Sequence, residues 1–554
     1  MPRRKPFSNK QKKKQLQVKR EKKRGGFRLH FEKESKEEVE RRKKIAREKI
    51  LKQVAEKELE IDMNQIYPEE KGLNFPRRPS WHYNMQREEL LRKEEKSFLE
   101  YLEALQSKNP PGTLSHFEHN LETWRQLWRV MEMSDVILLI VDIRYPVLQF
   151  PPALYHYITG ELKKYIILVL NKVDLCPSPL VLAWKHYLTK QFPHMHCVCF
   201  TSHPGQPYST RERVFPVSVM RKKVGWNAGG PIHIMRACQE ITAGRVDLSS
   251  WEKKIQRDAV AVGTEGDQAD DGSESVLMEH HSDVAMEMNS PTQELYKDGV
   301  LTLGCIGFPN VGKSSVLNSL VGRKVVSVSR TPGHTKYFQT YYLTPTVKLC
   351  DCPGLVFPSQ VDKQLQILAG IYPVSQLQEP YSSVGYLCER TNFLPVLKLT
   401  HPDHSPETPH NPSTQDWTAW DVCEAWAERR GYKTAKAARN DAYRAANSLL
   451  RLAIDGRMCL CLQPPGYSQS KDEWESHPEL AEIITLQGRK DEEDECGERE
   501  DDEGESSSEL EEDNDRDADD DEDADGDDED DTVKADRKGL TLNMFSVLGE
   551  NECA

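Results

Sequence analysis

Five short apolar runs punctuate the middle of the chain: "DVILLIVDIR" (135–144), "YIILVLNKVD" (165–174), "HCVCFTS" (196–202), "LTLGCIGFPN" (301–310) and "VKLCDCPG" (347–354). Each runs into polar or turn residues, and helical stretches separate several of them. Apolar positions that are continuous rather than alternating fit strands of a parallel sheet covered on both faces. Ahead of the first run, Leu121, Trp124, Leu127, Trp128 and Met131 recur at the spacing of one buried helix face. The pattern predicts an α/β fold, a mostly parallel sheet with helices on both faces.

The flanks read differently. Residues 1–34 form a basic, disordered head. Residues 35–115 read as a charged helical extension, opening on a capping pattern from Ser35 to Glu38 and continuing as a solvated helix with sparse apolar positions. The sheet region spans 116–365, and a polar, aperiodic stretch at 244–297 reads as a disordered insertion. Residues 366–470 form a small helical domain, crossed by a Pro- and His-rich linker at 401–415. Within it, 416–431 and 437–456 are amphipathic helices, each closed by a glycine. The spacing of Trp417, Trp420 and Trp426 assigns them to helical core rather than to base stacking. Residues 471–554 read as an acidic, disordered tail.

Charge sharpens this organisation. From Arg3 to Arg24 there are 12 Lys or Arg and one acid, Glu21. From Asp491 to Asp531 there are 28 Asp or Glu against two Arg; the whole chain carries -14, so everything outside that tail is +12. The head is a candidate polyanion contact or nuclear or nucleolar address, and the tail a flexible interaction arm. Ser506 to Ser508, in acidic surroundings, are candidate phosphorylation sites. No apolar run is long enough to span a bilayer, and the N-terminus carries no secretory signal pattern. Thirteen cysteines without framework spacing indicate reduced, intracellular thiols. "HMHCVCF" (194–200) and "CLCL" (459–462) read as packed segments, since no second ligand pair sits at zinc spacing.

The chemistry lies at the ends of the predicted strands. "GFPNVGKS" (307–314) has the spacing of a phosphate-binding loop between a strand and a helix. Amides of Asn310, Val311, Gly312, Lys313, Ser314 and Ser315 would cradle phosphate oxygens, Lys313 would reach the β- and γ-phosphates, and the Ser314 hydroxyl would ligate Mg²⁺. In "DCPG" (351–354), Asp351 would hold the metal through water and the Gly354 amide would sense the γ-phosphate. Thr335, in "TPGHT", would complete the metal shell. "NKVD" (171–174) names the base: the Asp174 carboxylate can accept from guanine N1–H and the 2-amino group, a donor pair adenine lacks. Asn171 would brace this loop, the Lys172 stem would lie over the purine, and Thr201 and Ser202 would offer a backbone amide to guanine O6. The ligands expected are GTP or GDP with Mg²⁺.

The base-reading motif thus precedes the phosphate-reading motifs, an order that resembles the circularly permuted GTPases of the YlqF/YawG group. The resemblance covers about residues 120–365, through "LWRVMEMSDVILLIVDIRYP", "NKVD", "GFPNVGKSS", "PGHTK" and "DCPGL". It implies a GTP-hydrolysing switch in ribosome assembly, with ribosomal or pre-ribosomal RNA and protein as partners, no membrane, and a monomer favoured. A second function class, a nucleotide-binding scaffold or chaperone-like binder with negligible hydrolysis, is kept open by Leu355. That residue stands where many GTPases place a water-orienting glutamine, and the family shares the substitution. Turnover is therefore expected to be slow, helped by a partner or by K⁺, since Asn310 matches the position that helps hold K⁺ in potassium-activated relatives. His203 replaces a usual alanine, at little cost because the contact there is through backbone. Because the chain leaves the sheet just after Gly354, nucleotide state is expected to reorient the helices beyond Pro358.

Overall fold

The computed structural model of the chain describes residues 35–82, 84–110, 112–204, 229–261, 278–279, 295–326, 338–402, 416–434 and 438–488. All belong to the first of two compact units, Met1–Asp491. The basic head, Thr335, most of the 401–415 linker and the acidic run with Ser506 to Ser508 lie outside the described residues.

The strands are β1 (Val136–Asp142), β2 (Tyr165–Asn171), β3 (His196–Cys199), β4 (Met278–Glu279), β5 (Leu301–Gly307), β6 (Gln339–Thr344) and β7 (Val347–Asp351). They form one sheet in the order β3-β2-β1-β5-β7-β6-β4. The five runs read from the sequence all form strands, and all five pair in parallel. β6 and β4 add an antiparallel edge. Every residue of β1 is buried, as the centre of a sheet covered on both faces requires. β6 was not anticipated, because its buried positions do not form an unbroken apolar run.

Pairing registers bring the functional loops to one edge. Asp142 lies opposite Asn171 at the ends of β1 and β2, and Cys305 opposite Asp351 where β5 meets β7. Carboxyl ends of parallel strands are where such sheets bind ligands. The helix Leu121–Met133 lies directly on β5: a Cβ added at Gly304 would sit 2.3 Å from Ser134 Oγ.

Four expectations need correction. The helix Lys36–Glu48 has the predicted Ser35 cap, but it is docked rather than solvated. Val39 and Ala46 are buried, and it packs on the helices Tyr381–Arg390 and Ala419–Arg430. Arg47 stacks over Trp420 at 4.2 Å, and Lys49 pairs with Glu389 at 2.6 Å. Within the 244–297 stretch, Ser249–Ala261 is a helix anchored by fully buried Trp251. Within the presumed tail, Lys471–Glu475 and Leu480–Gln487 are helices, the latter burying Ile483 and Gln487. The boundaries read at 115, 365 and 470 do not separate packing units. One continuous core runs from Ala46 to Ile483, with Phe75 of the extension 6.3 Å from Trp124 and 5.8 Å from Phe357.

The two C-terminal helices form as read, Ala419–Arg430 closed by Gly431 and Ala442–Ile454 followed by Gly456. Trp417 and Trp426 are buried core residues, and Trp420 is half-buried. The eleven cysteines among the described residues are free thiols. No helix among them is long and apolar enough to cross a membrane.

Candidate functional site

The loop after β5 is shaped by close approach. A Cβ at Gly307 would meet the Ile140 carbonyl at 2.4 Å. Gly312 has φ +94, and its Cβ would lie 2.4 Å from Asn171 Nδ2, so the base-reading loop presses on the phosphate loop at this point. The helix Lys313–Val321 follows at once, with Ser314 and Ser315 in its first turn. The first amides of a helix have no carbonyl of that helix to bond, the arrangement that binds anions. Lys313 Nζ folds back onto the carbonyls of Phe308 (2.7 Å) and Gly307 (3.2 Å). Burial pulls its pKa down, against the pull of Asp351.

The β7 end closes over this loop. Leu355 N–H donates to the Gly307 carbonyl at 3.3 Å, and a Cβ at Gly354 would lie 2.9 Å from Pro309 Cα and 3.2 Å from Lys313 Nζ. Asp351 is fully buried, and neither carboxylate oxygen has a hydrogen-bond partner among the described residues. Burial pushes its pKa up to about 7, with Lys313 opposing. Two orphaned carboxylate oxygens beside a phosphate loop fit a hydrated Mg²⁺, with half-buried Ser314 as the other candidate ligand in place. Leu355 is fully buried, so no polar side chain stands at that position.

The base loop extends β2. Asn171 Nδ2 donates to the Val311 carbonyl at 2.7 Å, while its Oδ1 is buried without a partner among the described residues. Lys172, in the left-handed region at φ 62, donates to the Asn310 carbonyl and to Asp142 Oδ2, both at 2.8 Å. Asn310 Nδ2 in turn donates to the Gly370 carbonyl at 2.7 Å. Asp174 accepts from the Thr201 hydroxyl at 2.5 Å; burial raises its pKa, and this bond opposes the rise. Thr201 Oγ1 also accepts the His203 amide at 3.1 Å, and Ser202 Oγ is buried without a partner among the described residues. The orphaned atoms of Asn171, Ser202 and Asp351 mark both ends of one polar site. Of the predicted site residues, Thr335 alone lies outside the described residues.

Four participants went unassigned in the sequence. Asp142 ends β1 under Lys172, and Arg144 clasps it through Nε (3.0 Å) and Nη2 (2.7 Å). Burial works to raise the Asp142 pKa, but Arg144 and Lys172 overcome it and hold the carboxyl well below the usual range. Arg144 also donates to the carbonyls of Ala453 (2.9 Å) and Ile454 (3.2 Å), at the end of the helix Ala442–Ile454. The Thr201 hydroxyl orients Asp174, where only the backbone of Thr201 had been assigned a role. Gln487 Nε2 donates to the carbonyls of Val173 (2.7 Å) and Cys176 (2.9 Å), and its Oε1 accepts from Ser178 at 2.6 Å. "DIRYP" was a visible signal for Asp142 and Arg144; nothing local marked Gln487.

Sheet order, motif order and the joined loops define a GTP-binding protein with a circularly permuted GTPase fold. Its family match and sequence relatives agree. Residues 302–376 match the family described as "50S ribosome-binding GTPase". The human protein named guanine nucleotide-binding protein-like 1 is 58% identical over 473 residues, covering 84% of this chain and 77% of that protein. The Macaca mulatta protein of that name is 58% identical over 472 residues, with the same coverage. A mouse protein named large subunit GTPase 1 homolog is 31% identical over 436 residues, 71% of this chain and 66% of its own length. The GDP-bound structure of YlqF aligns over 62% of this chain and 99% of that one, at 15% identity and a TM-score of 0.33. The chain belongs to the guanine nucleotide-binding protein-like 1 family.

Proposed function

We propose that the protein hydrolyses GTP slowly and acts as a nucleotide-dependent switch in the maturation of ribosomal or related RNA–protein particles. The observation that carries the reading is the pair of bonds from Asn171 and Lys172 to the Val311 and Asn310 carbonyls. They join motifs 140 residues apart into one site. Asp174, oriented by Thr201, accepts guanine N1–H and the 2-amino group, and the Thr201–Ser202 turn offers its amide to O6. The amides of residues 310–315 take the phosphates, and Lys313 leaves the Phe308 carbonyl for the β- and γ-oxygens. Ser314 and Asp351, with Thr335, hold Mg²⁺, which when bound supplies positive charge at those oxygens. The Gly354 amide reads the γ-phosphate.

Slow turnover follows from Leu355, whose buried aliphatic side chain cannot orient a water; K⁺ held near Asn310 would assist. The ribosomal setting is supported by the names of the matching family and of the large subunit GTPase 1 homolog, and by the basic head, which suits RNA contact or nuclear and nucleolar import. Single-turnover GTP hydrolysis, with and without ribosomal particles and in K⁺ against Na⁺, tests this, with Lys313→Ala as control. Stimulation by particles is expected. The same buried Leu355 favours one other reading, a scaffold that binds nucleotide without hydrolysing it. Equal, negligible turnover under every condition would select that reading.

A further inference from the structure

Away from the nucleotide site, two histidines and a glutamate converge from distant parts of the chain. His186 sits on the helix Ser178–Gln191, which begins four residues after Asp174; His477 and Glu479 lie between the helices Lys471–Glu475 and Leu480–Gln487. One ligand atom from each of the three lies within 4.8 Å of the others. His186 Nε2 is buried and has no hydrogen-bond partner among the described residues; the nearest carboxylate atom, Glu479 Oε1, is 3.6 Å away, too far for such a bond. The other Glu479 oxygen is already satisfied, accepting from Lys185 at 2.8 Å. His477 Nδ1 accepts the Glu479 amide at a long 3.2 Å, a weak bond that an ion taking either ring nitrogen of His477 would release. The imidazoles lie 5.0 Å apart between centroids, and the Trp474 ring sits 5.4 Å from His186 and 5.9 Å from His477.

We propose that His186, His477 and Glu479 form a binding site for Zn²⁺ or a chemically similar transition-metal ion. Two imidazoles and one carboxylate oxygen suit such an ion and leave a fourth position for water. Ligand atoms around tetrahedral zinc stand about 3.3 Å apart, so closing the cluster needs side-chain shifts of roughly 1 Å. All three residues are half-buried, which permits them. Lys185 repels a cation, but it occupies only Oε2 and so directs the metal to Oε1.

The position gives the ion a structural role. It would pin the segment carrying Gln487 onto the helix that follows the guanine loop, whose Val173 and Cys176 carbonyls Gln487 holds.

The test uses the full chain, stripped with a chelator and bound to GDP, titrated with Co²⁺ and then Zn²⁺. Tetrahedral visible absorption from one equivalent of Co²⁺ is expected, displaced by Zn²⁺, with quenching of tryptophan fluorescence that Trp474→Phe removes. His186→Gln and Glu479→Gln should each abolish that equivalent. GDP titration of each variant verifies that it is folded. If the wild type takes up no equivalent, or if both folded variants retain it, the site does not exist.

Discussion

Asp174 carries guanine selection, and its orientation rests on one hydroxyl. Thr201 is fully buried and its bond to Asp174 is 2.5 Å, so Thr201→Val leaves a buried carboxylate oxygen short of a donor. Such a loss costs about 1–3 kcal/mol, and GDP affinity should fall roughly 5- to 150-fold in a fluorescent-GDP titration. Gly312→Ala should act from the other side, since its new methyl would displace Asn171 Nδ2 and force a left-handed backbone. An affinity loss of roughly 10-fold or more, without unfolding, is expected. Both glycine and aspartate were legible because their motifs are contiguous. The Thr201 hydroxyl was not, because it meets Asp174 only through the pairing of β2 with β3. Glu118 offers a separate test beside the β7 exit, where its amide donates to the Val356 carbonyl at 3.0 Å. Burial raises its pKa from the ordinary 4.5 to about 7. Between those values the native state keeps a proton that the unfolded chain has lost, so this residue's contribution is full below about pH 4.5 and gone above about pH 7. Urea midpoints of Glu118→Gln should therefore gain on wild type as pH rises from about 5 to about 8. A constant difference would contradict the burial of an ionisable group there.

At the scale of elements, Arg144 is the hinge pin between the base loop and the C-terminal helices. Its guanidinium connects Asp142, which holds Lys172, to the last carbonyls of the helix Ala442–Ile454. Removing one partner of a buried pair costs about 3–5 kcal/mol. Arg144→Met should fall at the lower end by chemical denaturation, because Lys172 stays on Asp142. Asn310 gives the phosphate loop its own tie to this region through the Gly370 carbonyl. Nucleotide state should therefore reach the helices by two routes, and amide exchange across 416–456 should differ between GDP and GTP-analogue complexes. Identical protection would mean the helices are a passive brace. Strands and helices of this region were readable from apolar pattern alone. Their ties were not, since Arg144 and Ala453 stand 309 residues apart.

Across the whole molecule, charge composition misjudged where order stops. The extension read as a solvated helix and the segment past residue 470 as disordered, yet both are docked through a few apolar or amide anchors: Val39, Phe75, Ile483 and Gln487. Sparse anchors suffice when the partner surface is already built, which hydropathy averaged along the chain cannot register. A chain ending at Gly488 should keep full GDP affinity, whereas one ending at Gln469 loses the Gln487 brace on Val173 and Cys176 and should bind GDP more weakly. Equal affinities would show the brace to be idle.

The place of β5 between β1 and β7 has a consequence for biosynthesis. A polypeptide emerging N-terminus first completes β1, β2 and β3 long before β5 is translated. Through that interval β1, apolar from Val136 to Val141, offers one bare flank to any other unpaired strand. Nascent chains halted before residue 300 should accordingly be retained by chaperones, and those extended past β7 released.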